Sequence, residues 1–549
     1  MVNIRKTLSQ LNRKLPLQRA AALLAGSSLL ASLLGFFRER IFNSTYYLTY
    51  PTGADAYRVA FSVPDFMFII LVSGALSVSF IPVFNQRLGS GNKKSAWELS
   101  TSIINLMALA TLVTSVLIII FAEPLVRYVV GPGLDESSRA LAVSMMRVVA
   151  VSPFLFAVAT VITSMQQAVG RFAFFALAPA LYNIGIIIGL VFFTNGINIF
   201  GWQVFEGGIM GVALGVVLGA ILQLIVSTIG LFGMGFDYRF KIYWKNKGFR
   251  RVLRLLPPRS FDQGIDYVNS IVETNLASRM VAGSVNAYQQ ATMLAYMPIN
   301  LIGVAISTAA FPKMTERLAQ GRPDLFKSEL QTVLRVIIWL ALPVTVVAFF
   351  ARGYIVNFIV NGGDPRMAGI LSILAISILF RSLYFISARS FYAQQDTKTP
   401  LYISLFTIGL NITLAIWFTL GLGMGVQGLA WAAVIVSIVE MSILFYVMSK
   451  RIPGLFDKPF VNAIGRMLSA AGFTAVITYV TLTILPLNAD DNSFWATFPK
   501  FAFVVSVAGI TYLAFCRLFK LPEVNPVLSR IYKILFKAPK VKDESITHS

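Results

Sequence analysis

Runs of about twenty mostly apolar residues follow one another along almost the whole chain, separated by short polar stretches that hold most of the charge. A helix needs about 20 such residues to cross the hydrocarbon core of a bilayer. The runs predict fourteen spanning helices, at 20–48, 55–85, 96–122, 141–164, 172–194, 207–235, 255–280, 285–312, 331–350, 368–390, 400–420, 425–449, 463–487 and 496–519. The pattern is that of an all-α polytopic membrane protein. Composition agrees, because only 13% of the 549 residues are charged whereas soluble domains hold about a quarter.

Fourteen spans use up the apolar residues and leave little for a soluble domain, so a cytosolic enzyme is excluded. The one cysteine, Cys516, offers no disulfide framework or thiolate metal cluster. The one histidine, His548, stands next to the last residue and removes imidazole acid, base or metal chemistry from the membrane interior. With no GxxxxGK[ST] loop, an ATP motor would have to be another chain. No cofactor is expected.

Lys and Arg outnumber Asp and Glu by 46 to 24, a net charge of +22. Placing the N-terminus inside and alternating through fourteen spans assigns 34 basic residues to the inner side and eight to the outer, with those near span ends counted with the adjacent segment. The excess follows the positive-inside rule and needs no nucleic acid as partner. Both termini are expected in the cytoplasm. The first apolar run follows Arg5, Lys6, Arg13, Lys14 and Arg19 without a small-residue cleavage pattern, which reads as a retained helix.

The chain repeats itself. Ala75, Ser77, Pro82, Arg87 and Leu88 recur 230 residues later as Ala305, Ser307, Pro312, Arg317 and Leu318. Gln166, Gln167 and Asn183 recur 228 residues later as Gln394, Gln395 and Asn411, and Gly208, Gly211 and Ala213 recur as Gly425, Gly428 and Ala430. Ordered matches of Pro, Arg, Gln and Asn predict two pseudo-symmetric six-helix lobes, 1–236 and 255–450, joined by a basic cytoplasmic connector at 237–254. Two extra helices at 451–520 and a basic tail at 521–549 complete the chain. Six helices separate the copies, so they share an orientation and are related by an axis along the membrane normal.

Charges inside spans cost at least about 2.5–3.5 kcal/mol on insertion scales and persist beside a cavity or partner. Arg38, Glu39 and Arg40 close the first span, and Asp55 and Arg58 stand one turn apart in the second. They are either interfacial anchors or a net positive binding site, and guanidinium forks suit phosphate. Asp262, Asp266 and Glu273 fall on one stripe of the seventh span. That stripe either faces a cavity as a cation or gating site or, for the first two, balances Arg254 and Arg259. Arg279 near the end of that span is a snorkelling anchor or a ligand contact.

GFFRERIF at 35–42, GADAYRVAFSVPDF at 53–66, SGALSVSFIPVF at 73–84, GRFAFFALAPALYNIG at 170–185 and QQDTKTPLYIS at 394–404 resemble the matching stretches of the MurJ (MviN) lipid II flippase family. That family lies in the multidrug/oligosaccharidyl-lipid/polysaccharide exporter superfamily, and the resemblance covers essentially the whole chain. It implies a non-enzymatic flippase in the bacterial inner membrane, moving an undecaprenyl-pyrophosphate peptidoglycan precursor from the cytoplasmic to the outer leaflet by alternating access. The last two helices would form a groove for the lipid tail. It implies lipid II and membrane lipids as partners, with cell-wall synthesis proteins as further ones, and coupling to Na+, H+ or the membrane potential.

By the same resemblance Arg38 matches the arginine of the family's GFxRD motif, Glu39 replaces the usual Asp, and Asp55 matches an acid opening helix 2. Arg38, Glu39, Arg40, Asp55, Arg58 and Arg279 are the implied substrate contacts, and Glu273, Asp396 and Asn411 an implied ion site. Phe68, Ile69 and Ser73 depart from the family pattern in helix 2, and Thr292, Met293 and Tyr296 stand where relatives carry an arginine with flanking acids. Arg279 is the candidate replacement for that arginine. The alternatives are a flippase for another polyprenyl-linked glycan, a multidrug antiporter, and a transport-dead scaffold.

Overall fold

A computed structural model describes residues 16–199, 202–488, 491 and 493–535. Each of the fourteen apolar runs is helical. The elements are α1 (Leu17–Phe42), α2 (Pro51–Leu71), α3 (Ser73–Gly89), α4 (Lys93–Pro124), α5 (Glu136–Val149), α6 (Ser152–Ala168), α7 (Ala173–Val191), α8 (Met210–Ile229), α9 (Lys247–Ser278) and α10 (Ser284–Ile299). They continue with α11 (Ala305–Ala319), α12 (Pro323–Phe350), α13 (Arg352–Asn357), α14 (Pro365–Ala393), α15 (Lys398–Ile416), α16 (Val426–Arg451), α17 (Lys458–Ile484), α18 (Phe494–Leu518) and α19 (Asn525–Leu535).

Among the described residues twelve helical segments are long and apolar enough to span a membrane. The two other expected spans are helical but differ in character. The run at 55–85 is divided into α2 and α3 at Val72, where the backbone leaves helical geometry. The break immediately precedes the Ser73–Gly74 pair, a poor helix-propagating dipeptide. The seventh run is the 32-residue α9, whose first half carries Arg250, Arg251 and Arg254. One short antiparallel hairpin, β1 (Ile197–Ile199) and β2 (Trp202–Phe205), adds to the helical plan between α7 and α8. Alternating β-branched and aromatic residues make that loop pair with itself.

The chain packs as two compact units. The first runs to Gln290 and adds Phe358–Asn361 and Ile408–Leu429. The second comprises Ala291–Asn357, Gly362–Thr407 and the chain from Ala430 onward.

In the first unit α7 and α8 meet backbone to backbone. A Cβ added to Gly185 would lie 2.2 Å from Gly219 Cα, and one on Gly189 would lie 2.5 Å from Gly215 Cα. Glycines four apart on both helices leave a flat face, the small-residue route to helix association in lipid, where the hydrophobic effect gives no drive. A separate core gathers Phe80 and Phe84 of α3, Leu99 and Ile103 of α4, Met165 of α6 and Phe249 of α9.

In the second unit the core is built on Phe326, Leu330 and Ile337 of α12, Ile386 and Phe391 of α14, and Met467 of α17. Trp339 donates its indole N–H to Cys516 Sγ at 3.3 Å. An ion pair of 2.6 Å joins Arg335 of α12 to Glu523, ahead of α19. Elsewhere large apolar side chains point outward, as with Leu29, Leu33 and Phe37 on α1 and Ile120 and Phe121 on α4. Lipid is the solvent for such faces.

Candidate functional site

Four helices of the first unit bring charged and amide side chains into one connected set. Glu39, near the end of α1, is 4% exposed and lies between two guanidinium groups. Arg38 pairs with its Oε1, and Arg58 of α2 pairs with its Oε2 at 2.5 Å. Gln290 of α10 donates to the same Oε2. One carboxylate therefore serves two cations, so these three ion-paired groups carry one positive charge in excess. The Arg38 and Arg58 side chains remain 22% and 15% accessible.

Amides hold the guanidinium groups in place. Arg38 Nη1 donates to Asn183 Oδ1 at 3.0 Å, and Asn183 Nδ2 donates to the carbonyls of Ala31 and Pro179 at 3.2 and 3.1 Å. Arg58 Nε donates to Asn286 Oδ1 at 2.8 Å, and Asn286 Nδ2 donates to Asn43 Oδ1 at 3.0 Å. The Arg58 guanidinium also stands 5.0 Å over the Phe42 ring and 5.6 Å over Tyr57. Buried Asn43 Nδ2 and Gln290 Oε1 have no hydrogen-bond partner among the described residues, and such atoms in a polar recess call for water or ligand.

The remaining candidate contacts have other partners. Asp55 accepts the amides of Gly283 at 2.7 Å and Asn286 at 2.8 Å, which ties α2 to the start of α10. Arg40 Nη1 donates to the Phe358 carbonyl at 2.6 Å. Arg279 follows the end of α9, exposed, with its Nε bonded to Asn275 Oδ1 at 3.2 Å.

A second polar set in the same unit joins Glu273 and Asn269 of α9 to Asn411 of α15. Asn411 Nδ2 donates to Asn269 Oδ1 and Glu273 Oε1, both at 3.1 Å, and Asn269 donates to Glu273 Oε1 at 3.0 Å. Asn411 Oδ1 is buried without a hydrogen-bond partner among the described residues. Carboxylate and amide oxygens are hard donors that suit a small monovalent cation, and the carboxylate suits a proton. The side chains of Asp262 and Asp266 lie outside the described residues. Asp396 belongs to the second unit, where it caps α15 by accepting the amides of Lys398 and Thr399 at 3.0 Å and pairs with Arg451 at 2.6 Å.

Sequence reasoning missed several participants. Asn43, Asn286 and Gln290 are neutral amides outside the repeated and family-like motifs and carry no charge signal. Asp65 of α2, beside Tyr267 of α9, and Glu440 of α16 are single acids in apolar runs. Glu440 is buried in the second unit with Arg381 at 3.3 Å, Ser404 at 3.0 Å and Thr407 at 3.1 Å. Their signal was present, since an acid in an apolar helix implies a partner.

A bundle of apolar helices with buried ion clusters has the architecture of a membrane carrier. It is similar to an inward-facing multidrug resistance MATE transporter of the MOP superfamily, with a TM-score of 0.66 at 16% identity, covering 78% of this chain and 96% of that one. A structure of lipid II flippase MurJ in an inward closed conformation matches with a TM-score of 0.71 at 24% identity, over 94% of this chain and all of that one. The fold is thus that of the MOP-superfamily transporters.

The particular family follows from the sequence: the family model described as lipid II flippase MurJ matches residues 45–498, and the chain belongs to that family. Among curated relatives it is 25% identical to a probable lipid II flippase MurJ of Thermotoga maritima, over 91% of this chain and 96% of the relative. It is 27% identical to the lipid II flippase MurJ of Burkholderia cenocepacia, over 70% of this chain and 75% of the relative.

Proposed function

We propose that this chain is a lipid II flippase, carrying the polyprenyl-pyrophosphate precursor of peptidoglycan from the cytoplasmic to the outer leaflet of the bacterial inner membrane, with both termini in the cytoplasm. The observation that carries the reading is the buried Glu39, shared by the guanidinium groups of Arg38 and Arg58, in a chain of this family. A pyrophosphate brings the negative charge that the cluster lacks, and guanidinium forks bind it in two-point fashion.

Arg38 and Arg58 draw the head group in, exchanging part of their bond to Glu39 for phosphate oxygens. Asn183 and Asn286 keep the forks oriented during the exchange. The polyprenyl tail stays in lipid along the helices at 451–520. The cycle is alternating access, with the cluster facing one side of the membrane and then the other. A cation or proton held by Glu273 and Asn411, or the membrane potential at about 2.3 kcal/mol per charge per 100 mV, resets it.

The test is the leaflet accessibility of lipid II in cells depleted of this protein. Accumulation in the inner leaflet, reversed by wild-type protein but not by Arg38→Ala, supports the reading. Normal arrival of lipid II at the outer leaflet in depleted cells overturns it.

A further inference from the structure

The segment between α8 and α9 forms the shared wall of two cavities of opposite chemistry. One, of 990 Å³, is apolar, lined by Leu109 and Leu112 of α4, Phe154 and Ile162 of α6, Leu224 of α8 and Phe240 of the segment, among others. The other, of 780 Å³, is lined by Arg87, Lys94, Lys241, Lys245 and Lys247, with Glu98 the one carboxylate among its described residues. Lys241 and Ile242 line both. Both volumes suit a small ligand. None of the side chains around Glu39 lines either cavity.

The shared wall is fixed along one face of α4. Asn105 donates to the carbonyls of Arg239 at 2.9 Å and Lys241 at 3.0 Å, and accepts the Tyr238 hydroxyl at 2.6 Å. Ser102 accepts the Tyr243 amide at 2.8 Å, and Asn246 donates to the Ser95 carbonyl at 3.0 Å. These bonds hold the backbone, while the Lys241 and Lys245 side chains are exposed, the Lys241 ammonium 5.5 Å over the Tyr243 ring. Leu109, Leu112 and Phe240 are exposed as well, at 54%, 47% and 92%, so the apolar cavity opens toward acyl chains.

We propose that the paired cavities are a binding site for an anionic phospholipid, with its acyl chains in the apolar cavity and its phosphate among the lysines. Charge complementarity selects the occupant. A zwitterionic lipid brings its own cation into a recess that already holds five, whereas a phosphatidylglycerol-type head group leaves its phosphate charge unbalanced. The site fixes the segment that leads into α9, and a bound lipid would tie that segment to the membrane surface.

The experiment is native mass spectrometry of the full chain titrated with phosphatidylglycerol or phosphatidylcholine, on wild type, Lys241→Gln/Lys245→Gln and Ala108→Phe. Ala108 lines the apolar cavity, so phenylalanine there occupies acyl-chain space without changing charge. The expected result is preferential retention of phosphatidylglycerol by wild type. Removing the lysines should cost about fivefold per charge, from about 1 kcal/mol for each basic residue near an anionic surface. Ala108→Phe should weaken both lipids. Equal retention of the two lipids by wild type overturns the proposal, as does a preference unchanged in the lysine variant or binding unchanged in Ala108→Phe. Thermal unfolding of each variant without added lipid separates loss of binding from loss of fold.

Discussion

Asn183 and Asn411, which correspond across the internal repeat, hold side chains of opposite charge. Asn183 accepts from the Arg38 guanidinium at 3.0 Å, whereas Asn411 donates to the Glu273 carboxylate at 3.1 Å. An amide can do either, because it carries both donor and acceptor. The repeat thus kept the residue while the sign of its partner changed. One copy steadies a group suited to an anion, the other a group suited to a cation.

That division predicts separable phenotypes. Asn183→Ala should impair delivery of the lipid head group and leave any cation dependence of transport unchanged. Asn411→Ala should shift or abolish cation dependence while head-group binding persists. Lipid binding and ion titration of transport, measured on both variants, check this. Identical effects of the two substitutions on both readouts would contradict it.

The Glu39 cluster predicts an asymmetry in stability. Removing one partner of a buried ion pair leaves an uncompensated charge and costs about 3–5 kcal/mol. Glu39→Ala leaves two guanidinium groups without their carboxylate, so its unfolding temperature in detergent should fall further than that of Arg38→Ala, which leaves Glu39 paired with Arg58 and bonded to Gln290. Equal losses would show that Glu39 does not balance both arginines.

The glycine face between α7 and α8 predicts steric intolerance. Gly189→Leu would press its side chain into Gly215 and the Gly211 carbonyl, 2.5 and 2.7 Å from the first added carbon. Overpacking costs about 1–3 kcal/mol or more, with no flexible side chain to give way. Gly472, with open space around an added Cβ, is the control and should accept Ala or Leu. Thermal stability of the purified variants distinguishes them.

Asp396 predicts a defined pH response. The hydroxyl and amide of Thr399, with Arg451, hold its carboxyl well below the usual carboxylate range. Its contribution is therefore fully present above the unfolded value, about 3.9, and is lost only as pH falls through the lower folded value. The stability difference between wild type and Asp396→Asn should stay constant from pH 8 to pH 5 and shrink below about pH 4. At neutral pH Asp396→Ala should cost about 1 kcal/mol, the usual worth of a helix N-cap. A difference that changes between pH 8 and pH 6 would contradict this.

Much of the fold was legible because the bilayer enforces a simple rule. Backbone polar groups must be satisfied within each helix, so every apolar run had to be one. The break at Val72 was less legible, since glycine and serine are ordinary in membrane helices and only packing decides where one yields. At the site, Arg38, Glu39 and Arg58 stood out because charges are costly in lipid. Asn286 and Gln290 did not, because one amide in an apolar run looks like packing until its partner is seen. The resemblance implies Asp55 as a substrate contact, and its two backbone partners lie more than 220 residues away, where no local pattern shows them. The resemblance groups Asp396 with Glu273, whereas each has its own set of partners.

The most direct measurement is binding of undecaprenyl pyrophosphate to the purified full chain, comparing wild type with Arg38→Gln/Arg58→Gln and with Arg279→Gln. The account predicts saturable binding that is lost in the double variant and preserved in Arg279→Gln, each measured below its own unfolding temperature, because the double variant leaves buried Glu39 without a cation and is the less stable of the two. Undiminished binding by the double variant would contradict the claim that these two guanidinium groups receive the pyrophosphate.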